Sequence, residues 1–293
     1  MARLVDVMCV PHDPTIPAVL RTGTDVPEAA AATGEAFARL RAHLDEVRPD
    51  VLLVVAGDHL NQWFMDAMPQ FLIGKAPRAS GPFPHERDLF GLDPYDTEIE
   101  GELARHLLNK GVDGHFDLAY SGEFTLDHGF TVPLSLLLPQ QDIPVVPLFT
   151  NVMAPPVPPG RRFRELGSAV RELVENFDAG SRVAVVASGH MSNAIGGARM
   201  MDFRERPLSD WDKDTWRRLH TGDLDELVAE CTYDHLFEQG HGTAGFLDYV
   251  FALGMVGGAR PSWSRLAAGP TQPPAGFLHW DEGTLNGTPG SAR

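Results

Sequence analysis

A chain of 293 residues, 43% of them hydrophobic, can bury one large core or two small ones. Its net charge of −16 argues against a nucleic-acid backbone or an anionic membrane as partner, though a few local cations could still hold an anionic small molecule. Cys9 and Cys231 have neither metal-ligand spacing nor a disulfide framework, the N-terminal apolar run is too short for a signal peptide, and no run reaches membrane-spanning length, so a cytoplasmic setting is expected.

Residues 4–10 (LVDVMCV) read as a strand. A helix is predicted over Glu28–Val47, where Phe37, Leu40, Leu44 and Val47 share one face. Apolar, β-branched runs at 51–56, 143–148 and 183–187 read as further strands covered on both sides. Phe163, Leu166, Val170 and Leu173 repeat the helical spacing before the last of these, and helical patterns also fit 96–109, 209–230 and 243–254. Residues 74–95 and 151–161 are dense in Pro and Gly and read as loops bordering a site. The alternation predicts an α/β fold, a single domain with a mainly parallel central sheet flanked by helices. Residues 1–256 form its catalytic body, and 257–293 a Pro- and Gly-rich irregular arm of the same domain.

Ligands of open α/β sheets bind beyond the carboxyl ends of the strands. His12, His59 and His190 each follow a predicted strand by a few residues, which places them along one edge. Asp13 and Asp58 adjoin the first two, and imidazole beside carboxylate is what a metal site needs. His128 sits in Asp127-His128-Gly129. There Asp127 either caps a helix beginning near Thr131 or orients His128 for acid–base work.

In their order and spacing, several pieces resemble the class III extradiol dioxygenases, of the protocatechuate 4,5-dioxygenase β-subunit and gallate dioxygenase type. They are His12, the Asp58-His59 pair, the Asp-His-Gly-x-Thr-Val-Pro-Leu-Ser stretch at 127–135, the Pro-rich 154–160 and the Ser-Gly-x-Met-Ser stretch at 188–192. The resemblance runs nearly end to end, to about Gly254. It implies non-haem Fe(II), or another divalent metal, acting on a small catechol-type aromatic and O₂ to open the ring beside the diol. It makes His12 and His59 metal ligands, sets His128 against substrate and oxygen, and puts Asp58, Thr131, Ser192 and Asn193 at the substrate. It also implies a homodimer or pairing with a small subunit.

Two positions depart from the family pattern. Gly245 stands where the family has a glutamate ligand, and Asn193 where it has a catalytic histidine, with His190 three residues earlier. In one account the site is rebuilt: His241 or Glu238 supplies the third ligand, and His190 takes over proton transfer or binds the metal. In a second, the scaffold runs a redox-neutral hydrolysis, decarboxylation or C–C lysis. In a third, the chain is a non-catalytic partner subunit, against which the retained His12, Asp58, His59, Asp127 and His128 speak. Arg78, Arg87, Arg161 and Arg162 are candidate partners for a substrate carboxylate.

Overall fold

Every residue from Leu4 to Pro11 is buried in strand β1 (Arg3–Pro11), as a continuous apolar run requires of a strand covered on both faces. The computed structural model describes residues 1–21, 28–114, 116–177, 180–195, 207–269 and 273–287. After β1 come α1 (Ile16–Leu20), α2 (Glu28–Val47), β2 (Val51–Gly57) and β3 (Phe71–Gly74). The stretch expected as a loop at 74–95 holds β4 (Arg78–Gly81) and α3 (Pro84–Phe90), and β4 pairs with β5 (Tyr95–Glu98) in a small hairpin-like sheet. Next are α4 (Gly101–Gly114), β6 (Ala119–Ser121), α5 (His128–Leu137), β7 (Val145–Thr150), α6 (Gly160–Glu175) and β8 (Arg182–Gly189).

The helical pattern at 209–230 is two helices, α7 (Asp210–Thr221) and α8 (Leu224–Glu230). They are divided at Gly222, whose φ of 97° no helix can continue. Following α9 (Tyr233–Gln239), a short 3-10 turn over Thr243–Phe246 leads into α10 (Leu247–Val256). The tail is not an irregular arm. It supplies β9 (Trp263–Ala267) and β10 (Ala275–Asp281) before a last turn of helix, α11 (Glu282–Asn286). Residues 270–272 and 288–293 of that expected arm lie outside the described residues.

Eight strands form the central sheet in the order β6-β3-β7-β2-β8-β1-β10-β9. Its middle, β7-β2-β8-β1, is parallel, while β10 joins β1 and β3 joins β7 antiparallel. Thus β8 lies between β1 and β2. Pro11 pairs with Gly189, and Ala56 with Ser188, so all three strands end at the same level. The strand side chains divide between two cores. Val5, Met8, Val10, Val54 and Ala56 pack with Phe37, Leu40 and Leu44 of α2 and Phe130 of α5. Val7, Cys9, Val55, Val183 and Val185 pack with Phe163, Leu166 and Val170 of α6 and Phe251 of α10. Among the described residues no helix is long and apolar enough to cross a membrane.

Helices α6 and α10 touch through glycines. A Cβ on Gly167 would lie 2.0 Å from the carbonyl oxygen of Phe251, and one on Gly254 2.1 Å from that of Arg164. Backbone cannot swing aside as a flexible side chain does. Gly167→Ala is therefore expected to cost roughly 1–3 kcal/mol by overpacking, read as a lower denaturant midpoint at unchanged slope. An unmoved midpoint would mean that the two helices separate freely.

Candidate metal centre

The first residue beyond β1 is His12, almost fully buried. Its tautomer traces back to a proline one helix away. Pro133 lies inside α5 and has no N–H to give to the carbonyl four residues earlier, that of Gly129. That carbonyl instead accepts the Ser188 hydroxyl at 2.5 Å. With its proton so committed, Ser188 Oγ can only accept from the His12 ring, and His12 Nδ1 donates to it at 3.0 Å. His12 Nε2 is left as a bare lone pair, buried and without a hydrogen-bond partner. Burial and the three neighbouring imidazoles of His59, His190 and His128 hold the His12 pKa well below its ordinary value.

His59 follows β2 by two residues. Its ring Nδ1 and backbone N–H both donate to Asp127 Oδ2, at 2.9 and 3.1 Å. The other Asp127 oxygen caps α5 by accepting from Gly129 N at 2.9 Å. Burial works against the Asp127 charge, but His59 outweighs it and holds the carboxyl down at about 2. In return Asp127 raises the His59 pKa against the effect of burial. His128, the first residue of α5, donates from Nδ1 to Glu86 Oε1 at 2.5 Å. Glu86 is itself buried in the first turn of α3, where it also accepts from Phe83 N and Asn61 Nδ2.

These three rings share one pattern: Nδ1–H is tied to a protein acceptor, which leaves Nε2 as the lone-pair nitrogen of each neutral ring. One nitrogen from each of His12, His59 and His128 lies within 4.8 Å of the rest. Neutral imidazoles oriented by outer acceptors are the standard donor set for a divalent transition metal, and the orphaned His12 nitrogen is an atom that such an ion would satisfy.

His190, the residue after β8, completes the group, its ring centroid 5.2 Å from that of His12. Its Nδ1 donates to the Met191 carbonyl at 3.0 Å, and Nε2 accepts from Asn193 Nδ2 at 3.2 Å. The Asn193 oxygen is occupied by Ile195 N–H, which fixes the amide that way round. Burial pushes the His190 pKa down to about 4. The ring also fills the space in front of Gly245, where a Cβ would lie 2.6 Å from His190 Nε2.

The histidines open into a cavity of about 420 Å³ walled by Phe90, Val152, Met153, Ile195, Tyr233 and Phe237. A larger, open groove of about 920 Å³ along α6 and α8 has no histidine in its lining. Of the residues expected at the site, His12, His59, His128, His190, Asn193 and His241 line the cavity. The nitrogen that lies within 4.8 Å of those of His12 and His59 is from His128. His241 is exposed at the rim, with its ring 4.7 Å from that of Phe237, and Glu238 is exposed on α9 and does not line the cavity. Asp127 orients His59, not His128. Asp58 turns away to Gln62 and Trp63 N, with its pKa pushed up to about 6 by burial and by Asp127. Thr131 bonds back to the Asp127 carbonyl, and Ser192 clamps Asp212 at the start of α7. None of the four arginines lines the cavity; Arg78, Arg161 and Arg162 pair with surface carboxylates.

Two residues that support the centre, Glu86 and Ser188, escaped the sequence reading. Ser188 stood inside a quoted motif without a role. Glu86 carried a readable signal, because Pro84 followed by an acid two residues later is a helix start.

Residues 6–272 match the family described as the catalytic LigB subunit of aromatic ring-opening dioxygenase. The chain belongs to this family. Curated relatives named 2,3-dihydroxyphenylpropionate/2,3-dihydroxicinnamic acid 1,2-dioxygenase include one from Xanthobacter autotrophicus, 32% identical over 191 residues, which are 64% of this chain and 56% of the relative. One from Dechloromonas aromatica is 34% identical over 195 residues, 66% of this chain and 56% of the relative. One from Pseudomonas putida is 36% identical over 186 residues, 63% and 55% of the two chains. The chain thus spans little more than half the length of the curated relatives it matches. An uncharacterized Escherichia coli K12 protein of known structure shares the fold, with a TM-score of 0.60, 16% identity, and coverage of 94% of this chain and 99% of that one.

Two expectations follow. Asp127→Asn keeps an oxygen for the α5 cap but turns an amide toward the His59 ring. It should lower metal affinity by about 10–100-fold with the fold intact, as read by titration with Fe(II) or Co(II); equal affinity would deny Asp127 its orienting part. The second concerns acid stability of the metal-free protein. Unfolded His190 takes up its proton as pH falls through about 6.5, and the folded ring only near 4. Stability is therefore lost across that window as pH falls. Urea titrations from pH 4 to 8 should show this slope flattened in His190→Asn relative to wild type, and parallel curves would contradict the buried neutral ring.

Proposed function

We propose that the chain is a metal-dependent, extradiol-type dioxygenase acting on a small catechol-like aromatic, with Fe(II) held by His12, His59 and His128. The observation that supports this reading is that one nitrogen from each of three imidazoles, every ring held through Nδ1 by a protein acceptor, converges beside a fourth, neutral imidazole in an apolar cavity. Fe(II), when bound, supplies the electron transfer between an aromatic diol and O₂. The protein's own groups do the rest. Phe90, Val152 and Phe237 exclude water and receive a flat ring. His190 Nε2 takes a hydroxyl proton from the substrate, while its Nδ1–H stays on the Met191 carbonyl, and later returns the proton to the product. Asn193 Nδ2, which donates to the same Nε2, holds the neutral ring in register and must give way to the substrate hydroxyl as the proton moves.

The all-imidazole donor set favours one second reading. Without a carboxylate ligand the ion keeps its full positive charge, which suits polarising a carbonyl or a bound water in a redox-neutral hydrolysis, decarboxylation or C–C lysis.

Oxygen consumption separates the two. Protein loaded with Fe(II) under anaerobic conditions should bind the ion and, given air and a panel of catechols, consume O₂ in step with substrate. His12→Ala and His59→Ala should lose the ion, whereas His190→Asn should keep it and lose about 10²–10⁴-fold in turnover. Full-rate turnover in strict anaerobiosis would favour the redox-neutral reading, and a wild-type chain that takes up no metal would remove both.

A further inference from the structure

A second constellation of donors lies six residues upstream of His12 on β1, roughly 20 Å away at ~3.3 Å per residue. Asp6 sits within the apolar run of this strand and is fully buried. The pairing of β1 with β8 shifts register between Leu4 and Asp6, an irregularity of the kind that re-aims a side chain. His43 of α2 and His279 of β10 meet the carboxylate there. His279 Nε2 lies 2.7 Å from Asp6 Oδ1, and His43 Nε2 lies 3.1 Å from Asp6 Oδ2. The two imidazole rings are 4.5 Å apart, and one ligand atom from each of the three residues lies within 4.8 Å of the others.

The two contacts differ in kind. His279 makes a well-formed hydrogen bond to Asp6. His43 pairs with Asp6 as an ion-pair contact at 3.1 Å, and apart from that contact neither His43 Nε2 nor Asp6 Oδ2, both buried, has a hydrogen-bond partner. A buried carboxylate oxygen with one poorly directed contact is under-satisfied. We infer that Asp6, His43 and His279 form a second metal site, for a divalent transition metal of the zinc class. Two imidazole nitrogens and a carboxylate oxygen are donors that zinc accepts, whereas magnesium and calcium favour all-oxygen sets. An ion seated among the three would take the place of that poorly directed contact and engage His43 Nε2 and Asp6 Oδ2 together. The His43 side chain, 26% exposed, provides the way in, and the nearby carboxylates of Glu46 and Asp281 make that entrance attractive to a cation. None of the three ligands lines the catalytic cavity. The ion's work here is structural, tying α2 and the tail strand β10 to β1.

The test starts from a His12→Ala/His59→Ala chain, which disables the first centre. It is stripped with a chelator and titrated with Zn(II), and in parallel with Co(II), whose visible bands report the ligand set. Zinc should still bind, and the thermal midpoint should rise with its concentration. Adding His43→Ala, a change at a partly exposed helix position, should weaken zinc binding by more than about tenfold; His279→Gln should do the same. In the otherwise unaltered chain, His43→Ala should remove a single ion per chain from the zinc stoichiometry. Absence of zinc uptake by the double variant, or uptake indifferent to His43→Ala and His279→Gln, overturns the inference and leaves a hydrogen-bonded cluster. The outcome does not depend on oxygen chemistry, because neither iron nor O₂ is read.

Discussion

Four imidazoles share one buried cavity, with ring centroids as close as 4.0 Å between His59 and His128. Charged together they would repel one another in a medium that screens poorly, so the group can exist only if its protons are kept few and in fixed places. The surrounding structure places the protons ring by ring, with a hydroxyl for His12, a backbone carbonyl for His190 and carboxylates for His59 and His128, Asp127 offsetting the charge that it favours on His59. The acceptors come from β8, the α5 cap, the first turn of α3 and the turn after β8. Much of the fold around the cavity therefore serves to settle which nitrogen carries a proton. Pro133 belongs to this scheme although it touches no histidine. By withholding an N–H from the Gly129 carbonyl it sets the direction of the hydrogen-bond chain that ends on His12.

The glycine at 245 gains a physical meaning in the same setting. A side chain on Gly245 would project where the His190 ring lies, so a larger residue at 245 and this placement of His190 compete for the same space. What occupies that space is a buried ring with a lowered pKa, braced by Asn193.

The strands of the parallel core were legible because a strand buried on both faces must be apolar throughout, and 4–10, 51–56 and 183–187 are nearly so, with Asp6 the exception in the first. Their ends then placed His12, His59 and His190 on one edge. What could not be read was pairing across space. Asp58 adjoins His59 in sequence, and Asp127 adjoins His128, yet neighbours on an extended backbone point apart. Each histidine instead takes its carboxylate from another element, His59 from Asp127 and His128 from Glu86. Glu86 lay in a Pro- and Gly-rich stretch that resembles loop apart from the helix start at Pro84, although it contains α3. The tail strands were hidden the same way, since prolines and glycines flank Trp263–Ala267 and Ala275–Asp281 while the strands themselves are short.

The position of β8 between β1 and β2 also has a temporal side. All three converging nitrogens are carried by the first 128 residues, so a ribosome has released them long before Arg182–Gly189 is made. Until that strand slots in, β1 and β2 have no shared neighbour to align them, and Ser188 is not there to turn His12. The nascent N-terminal half thus carries every ligand of the proposed centre without being able to assemble it. The proposed centre therefore depends on β8 for its assembly, and on α9 and the 3-10 turn at Thr243–Phe246 for the walls of its cavity.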